Sequence, residues 1–358
     1  MGSHLMTLNG QDKVSETKTS NFSQGQRNRG IARRRTSNTS QKQSQRLTQK
    51  LRKRAVSGRK QIDISAFHHL YPFKSNYIHL NDLKYHFLDQ GKGDPVVMIH
   101  GNPTWSFYFR TLVNGLSNRY RIIVSDHIGC GLSDKPDIKQ YDYRLKSRVH
   151  DLETFLDHLE LKEKITLVLH DWGGMIGMAY ALRHLQRIGR IIIMNTAAFF
   201  PPKGKTLPIR LRLVRNVTPF ATLAVQGFNL FAYGALYMAP YKRLKKDVKS
   251  GLIAPYNSWK NRIAILKFVQ DIPVSEKDPS YSLVKYVDEN LYKLSHIPML
   301  ICWGQHDFVF DTEYLSEWQL RFPKAEVHAF ADAGHYVLED ASDRIIPLVK
   351  NFLKKHRL

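Results

Sequence analysis

Cysteine is scarce in this sequence: its 358 residues contain only Cys130 and Cys302. The two stand far apart, and Cys302 lies inside the apolar run Met299-Leu-Ile-Cys-Trp303, so buried free thiols are expected rather than a disulfide. With neither a disulfide framework nor an apolar signal segment, a reducing, cytoplasmic compartment is expected. No apolar run reaches the roughly 18 residues of a membrane-spanning helix. The loop at Gly129-Cys-Gly131 lacks the Gly-x-Gly-x-x-Gly fingerprint, so no nucleotide cofactor is expected. Solenoid-length repeats are missing. The neighbours His68 and His69 lack a third ligand at suitable spacing, so no metal site is expected.

Acidic residues are nearly missing from the first sixty positions. Residues 1–60 hold 15 Lys and Arg against Asp12 and Glu16, with Phe22 the single aromatic. The remaining residues hold 39 basic and 29 acidic side chains, so much of the formal +23 belongs to this tail. Residues 1–6 read as an expression-vector remnant. The rest of 1–60 has too little apolar surface to order and is expected to be a solvated, disordered basic tail, with attachment to a polyanion or a membrane surface as its alternative role. No nucleic acid is expected as partner of the moderately basic folded part.

What the chain does have is a set of apolar, β-branched runs that each end in a turn and lead into a helical pattern. The central one is Ile165-Thr-Leu-Val-Leu-His-Asp-Trp-Gly-Gly174, a buried strand that stops at Asp171. Trp172 to Leu185 then carries apolar residues at helical spacing, which puts Asp171 on a tight strand-to-helix turn, the nucleophile-elbow position. A carboxylate there, in place of the usual serine, can displace a leaving group from sp3 carbon and form an alkyl ester. The plainer reading, Asp171 as a helix N-cap, is set aside because of what accompanies it.

Tyr77–Leu80 and Lys84–Asp89 around Asn81-Asp82 predict a hairpin, and strands follow at Pro95–His100, Arg121–Ser125, Ile188–Met194, Pro298–Trp303 and Ala325–Phe330. Helices are expected over Trp105–Leu116, over Leu145–Leu159 and from about Arg344. This alternation predicts an α/β fold with a mostly parallel, eight-stranded sheet, helices on both faces and ligands at the strand carboxyl ends. Asn102, Asp171, Asn195, Asp307 and His335 all fall just beyond such ends and are expected to converge. The main domain is expected over 61–196 and 298–358. The aromatic- and Met-rich interval 197–297 is expected to be an inserted helical cap with some side chains lining an apolar cavity.

The order Asp171, Asp307, His335 is that of nucleophile, acid and base in an α/β-hydrolase. Once Asp171 carries an ester, His335 can take a proton from water, and Asp307 can fix the imidazole tautomer and its charge. Backbone N–H groups at Trp172 and near Asn102 can form an oxyanion hole. The Trp172 indole and the Asn102 amide can converge on a departing halide.

Through His100-Gly-Asn-Pro-Thr-Trp105, His170-Asp-Trp-Gly-Gly174, Trp303-Gly-Gln-His-Asp307 and Gly334-His335, residues 66–358 resemble the haloalkane dehalogenases of the α/β-hydrolase superfamily. The resemblance implies hydrolysis of a carbon–halogen bond through an alkyl-Asp171 ester. Its implied roles are Asp171 as nucleophile, His335 as base, Asp307 as acid, and Asn102 with Trp172 as halide-binding pair. It implies no cofactor, a small apolar halogenated substrate with a halide product, and a homo-oligomer. Some members carry the acid after the preceding strand, where this chain has Asn195, so Asn195 is expected to orient Asp307 or, with Phe199, to bound the pocket. The stretches Asp126-His-Ile-Gly-Cys-Gly-Leu-Ser-Asp-Lys-Pro136 and Asn195-Thr-Ala-Ala-Phe199 resemble the subgroup that also contains β-lactone decarboxylases of olefin biosynthesis. That makes the rival reaction lactone opening by Asp171 with loss of carbon dioxide. Epoxide hydrolysis is a lesser alternative that needs Tyr233, Tyr237 or Tyr256 as acid, and a binder of anionic polymers or surfaces through the tail is another.

Overall fold

The hairpin closes as its turn residues dictate. Asn81 and Asp82 take φ of 46° and 68°, the paired positive values of a two-residue turn whose twist matches that of the strands. They join β1 (Asn76–Leu80) to β2 (Leu83–Gln90). The structure, a computed structural model, describes residues 62–358; the tail expected over 1–60 lies outside the described residues.

Six further strands extend the sheet: β3 (Pro95–Ile99), β4 (Arg121–Ser125), β5 (Ile165–His170), β6 (Ile188–Met194), β7 (Met299–Gly304) and β8 (Glu326–Phe330). Their order is β1-β2-β4-β3-β5-β6-β7-β8, antiparallel through β2/β4 and parallel from there on. The central strands are apolar at consecutive positions because both faces are covered. Val97 and Ile99 with Leu167 and Leu169 face one core, against α2 (Leu145–His158) and α3 (Trp172–Arg183). Val96, Met98 and Val168 face the other, against α1 (Arg110–Leu116) and α11 (Val337–Lys355). Each large side chain buried there contributes about 1.5–3 kcal/mol over exposure.

Two boundaries differ from expectation. The segment after Trp105 begins as a 3-10 turn, Ser106–Phe109, before α1. The last helix begins at Val337, not near Arg344, with a break at Ala341. Its first turn carries Glu339 and Asp340, whose charges disguise it as surface. Both turn inward, Glu339 accepting two bonds from Arg110 at 2.6 and 2.7 Å and Asp340 accepting from the Gly334, Tyr241 and Lys242 N–H groups at 2.8–2.9 Å.

Between β6 and β7 the chain is helical: α4 (Ile209–Asn216), α5 (Thr218–Ala221) running into a π-turn at Thr222–Gly227, α6 (Leu230–Met238), α7 (Lys246–Ile253), α8 (Ile263–Gln270) and α9 (Tyr281–Asn290). This insert packs with the sheet in the single compact unit Ile62–Leu358. Between β7 and β8 lies α10 (Thr312–Arg321). Both cysteines are buried and unpaired. Among the described residues no helix is long and apolar enough to cross a membrane.

Candidate active site

β5 carries Asp171 to the carboxyl edge of the sheet, and the chain turns there at φ 52°, ψ −126° before α3 begins. Such a conformation is sterically costly for a side chain bearing Cβ and persists where its surroundings hold it. Here the Asp171 N–H donates to the Asn195 carbonyl at 3.1 Å, the Gly174 N–H donates to the Asp171 carbonyl at 3.0 Å, and the Thr196 hydroxyl donates to the same carbonyl. Glycine at 173 is required, because a Cβ there would sit 1.9 Å from the Ile99 carbonyl oxygen. The carboxylate does not cap α3. It turns toward the end of β3, where the Asn102 N–H donates to its Oδ1 at 2.6 Å.

The sheet edge brings the other expected residues alongside. His335, in the turn after β8, has Nδ1 2.7 Å from Asp307 Oδ2 and Nε2 3.7 Å from Asp171 Oδ2. Asp307 follows β7, and its Oδ1 accepts from the Val309 N–H at 2.7 Å. Asn195 Nδ2 donates to Asp307 Oδ2 and to the Gly304 carbonyl, both at 3.0 Å, while the Gly304 N–H donates to Asn195 Oδ1 at 2.8 Å. Asn195 is thus committed behind Asp307 and is absent from the cavity wall. Phe199 lines the cavity. Of the two places expected for Asn195 it takes the one beside Asp307, its polar atoms being engaged by β7 and Asp307, and only Phe199 bounds the pocket.

Burial raises the Asp171 carboxyl above its ordinary value despite the opposing His335 charge and the N–H groups of Asn102 and Trp172. For His335 burial pulls downward, but Asp307 and then Asp171 outweigh it, and the imidazole stands above the usual histidine value. His170 packs against His335 with ring centres 4.7 Å apart and its Nε2 2.9 Å from the His335 carbonyl. Its own pKa is driven well down by burial, then by the charge of His335, so it supports the loop as a neutral ring.

Asp171, His335, Asn102 and Trp172 all face one cavity of about 430 Å³. Its walls are otherwise mostly apolar, including Phe199, Leu211, Phe231 and Val269. The Asn102 amide spends one N–H on the Ile265 carbonyl at 3.1 Å, so the side chain ties β3 to the insert and keeps one N–H for a ligand. Trp172 packs against Phe268, ring centres 5.4 Å apart. None of Tyr233, Tyr237 and Tyr256 is in the cavity wall. Tyr233 and Tyr237 are exposed, and the buried Tyr256 hydroxyl donates to the Thr104 carbonyl, so none of the three tyrosines expected as the acid of epoxide hydrolysis faces the cavity; the tyrosines that line it are Tyr314 and Tyr336. Sequence reading missed Thr196 and Asp340, whose bonds to backbone around Asp171 and His335 leave no motif.

Residues 94–342 match the family described as alpha/beta hydrolase fold. The chain belongs to the α/β-hydrolase family. Among its α/β-hydrolase relatives, a cis-3-alkyl-4-alkyloxetan-2-one decarboxylase from Shewanella oneidensis is 52% identical over 285 residues, 79% of this chain and 89% of that protein. Haloalkane dehalogenase 2 from Mycobacterium tuberculosis is 28% identical over 285 residues, 79% and 96% of the two chains. The crystal structure of a mutant haloalkane dehalogenase from Agrobacterium tumefaciens C58 superposes with a TM-score of 0.71 at 25% identity, covering 81% of this chain and 99% of that one.

Proposed function

We propose that this α/β-hydrolase is a β-lactone decarboxylase acting on 3,4-dialkyl oxetan-2-ones, with Asp171 as nucleophile, Asp307 and His335 as its charge partners, and no cofactor. The observation that carries the proposal is the 52% identity over 285 residues with a decarboxylase of that substrate class, against 28% with a dehalogenase. This reverses the order that the motifs alone suggest, since Asp171, His335, Asn102 and Trp172 suit either chemistry.

In the proposed reaction an Asp171 oxygen attacks ring carbon C4 from behind, the C4–O ring bond breaks, and its electron pair leaves on the ring carboxylate attached to C3. The electrons of the C3–carboxylate bond then form the C3=C4 double bond while the C4–Asp171 bond breaks. Carbon dioxide and an alkene depart, and Asp171 returns as a carboxylate. No water is consumed and no proton is gained or lost. Inversion at C4 followed by anti elimination converts a cis lactone into a cis alkene.

Each neighbour has a place in this sequence. A protonated His335 facing Asp171, with the Asn102 and Trp172 N–H groups, favours the carboxylate that leaves in the second step. The Asn102 amide and the Trp172 indole are the donors available to the released ring carboxylate. A cavity of about 430 Å³ with apolar walls suits two alkyl chains.

The second reading, haloalkane hydrolysis, is favoured by the 3.7 Å gap between His335 Nε2 and Asp171, where a base would activate water. Turnover in 18O-water separates the two. Hydrolysis of an Asp171 ester puts 18O into Asp171, visible by peptide mass, whereas decarboxylation leaves Asp171 unlabelled after many turnovers.

A further inference from the structure

The charge and the apolar surface of the folded part are both concentrated in one place. Between Lys203 and Arg262 stand twelve Lys and Arg against a single acid, Asp247, while the rest of 62–358 holds 27 basic and 28 acidic residues. The whole positive excess of the folded part therefore lies in the insert. Arg212, Arg243, Lys245, Lys246 and Lys260 are exposed and make no ion pair among the described residues.

The same segment exposes large apolar side chains. Phe228 is 64% exposed, Ile209 65% and Trp259 51%, and Val217 and Leu223 are also exposed. Leu223 and Trp259 both approach Gly227, and Arg210 on α4 reaches Met238 on α6 at 2.8 Å, so these helices present one surface. Leu213, Phe220, Leu230 and Met238 are exposed there and also line the catalytic cavity. The cavity thus opens into the apolar patch. A patch of this kind marks an interaction site.

We propose that this face of the insert docks on an anionic lipid surface, with Leu223, Phe228 and Trp259 entering the interface and Lys245, Lys246 and their neighbours meeting lipid phosphates. Exposed apolar side chains in a segment rich in unpaired Lys and Arg are the chemistry of a protein that lies on a membrane without crossing it. The occupant is set by charge. A second copy of the chain would bring twelve basic residues against twelve, and the segment 1–60, with 15 basic and two acidic residues, has the same sign of charge. Docking would open the cavity toward lipid, from which an apolar substrate can enter without crossing water. The docking itself does not depend on which reaction Asp171 performs.

The test uses the full chain with vesicles of phosphatidylglycerol and phosphatidylcholine in equal parts, and with phosphatidylcholine alone. Sedimentation with the anionic vesicles, weakened by salt, is expected, with little on the neutral ones. Brominated lipids are expected to quench Trp259, because Trp105, Trp303 and Trp318 are fully buried and Trp172 stands beside Asp171 inside the cavity, and most of this loss should vanish in Trp259→Phe. Leu223→Ser with Phe228→Ser, and separately Lys245→Glu with Lys246→Glu, should each weaken vesicle binding about tenfold or more while circular dichroism and Tm stay unchanged. Full binding by both variants would assign attachment to residues 1–60 and overturn the proposal. No binding by the parent, or a fall in particle mass in the Leu223 and Phe228 variant without any vesicle effect, would overturn it in favour of a free face or a second copy.

Discussion

His335 holds Asp307 at 2.7 Å through Nδ1 and faces Asp171 at 3.7 Å through Nε2. One ring therefore links the two carboxylates, Asp307 and Asp171. A base that must activate water and a cation that must stabilise a departing carboxylate can occupy the same place, and the two roles respond differently to its removal.

With His335→Ala, decarboxylation of a β-lactone should slow by about 10–100-fold yet continue, since no water attack is needed. The same variant given 1-iodohexane should stop after one event, and intact-protein mass should rise by one hexyl group. Complete loss of lactone turnover, with the ring-opened adduct retained on Asp171, would assign water attack to the reaction and contradict the account.

The pH dependence follows from the raised pKa of His335, in which Asp307 is the largest upward influence. A histidine raised in the folded state contributes stability that is fully present below its unfolded value of about 6.5. That contribution is lost as pH rises through the folded value. Asp307→Asn removes the principal cause, so the Tm difference between parent and variant should be largest near pH 6 and shrink toward pH 9, and the imidazole resonances of His335 should titrate at lower pH in the variant. An unchanged titration would show that Asp307 does not set the charge of His335.

Asn195 offers a transfer of function. Its amide touches Asp307 Oδ2 at 3.0 Å, so a carboxylate at 195 stands beside the position that His335 uses. Asn195→Ala should cost about 2–4 kcal/mol by removing the side-chain partners of the buried Gly304 N–H and carbonyl and one of the donors to Asp307 Oδ2, read as a fall in Tm. The pair Asn195→Asp with Asp307→Asn should regain about tenfold in kcat over Asp307→Asn alone. No recovery would place position 195 outside the reach of His335.

Gly101 and Gly173 should fail differently when changed to alanine. A Cβ at 101 would fall 2.0 Å from Asp171 Oδ1 and 2.3 Å from Asp171 Cβ, whereas at 173 it would meet the Ile99 carbonyl. The Asp171 carboxylate can swing away and its Cβ can move with the turn, whereas the sheet backbone at Ile99 cannot give way. Gly101→Ala should keep the fold and lose about 100-fold or more in kcat through misplacement of Asp171, and Gly173→Ala should not yield folded protein. Equal loss of folding in both would remove the distinction.

The strands and the meeting of Asp171, Asp307 and His335 were legible because buried parallel strands write themselves as apolar runs, and ligands gather where such runs end. The first turn of α11 was hidden because Glu339 and Asp340 look like surface while serving Arg110 and three backbone N–H groups. Thr196 was hidden because a hydroxyl bonded to a carbonyl has no spacing signature. The choice between halide and lactone was not legible for a chemical reason: a carboxylate nucleophile and two N–H donors serve either leaving group. For Asn195 the sequence left two places open, beside Asp307 or in the pocket wall, and the structure shows the first, because a buried amide takes the partners that close its hydrogen bonds.

The most direct measurement supplies a cis-3,4-dialkyl β-lactone to the purified protein and to Asp171→Asn, and follows the products by gas chromatography with carbon dioxide release. The account predicts cis alkene and carbon dioxide in equal amounts from the parent and neither, above the uncatalysed rate, from the variant. A β-hydroxy acid as the product, or no turnover of lactone by a folded parent that releases iodide from 1-iodohexane, would contradict it.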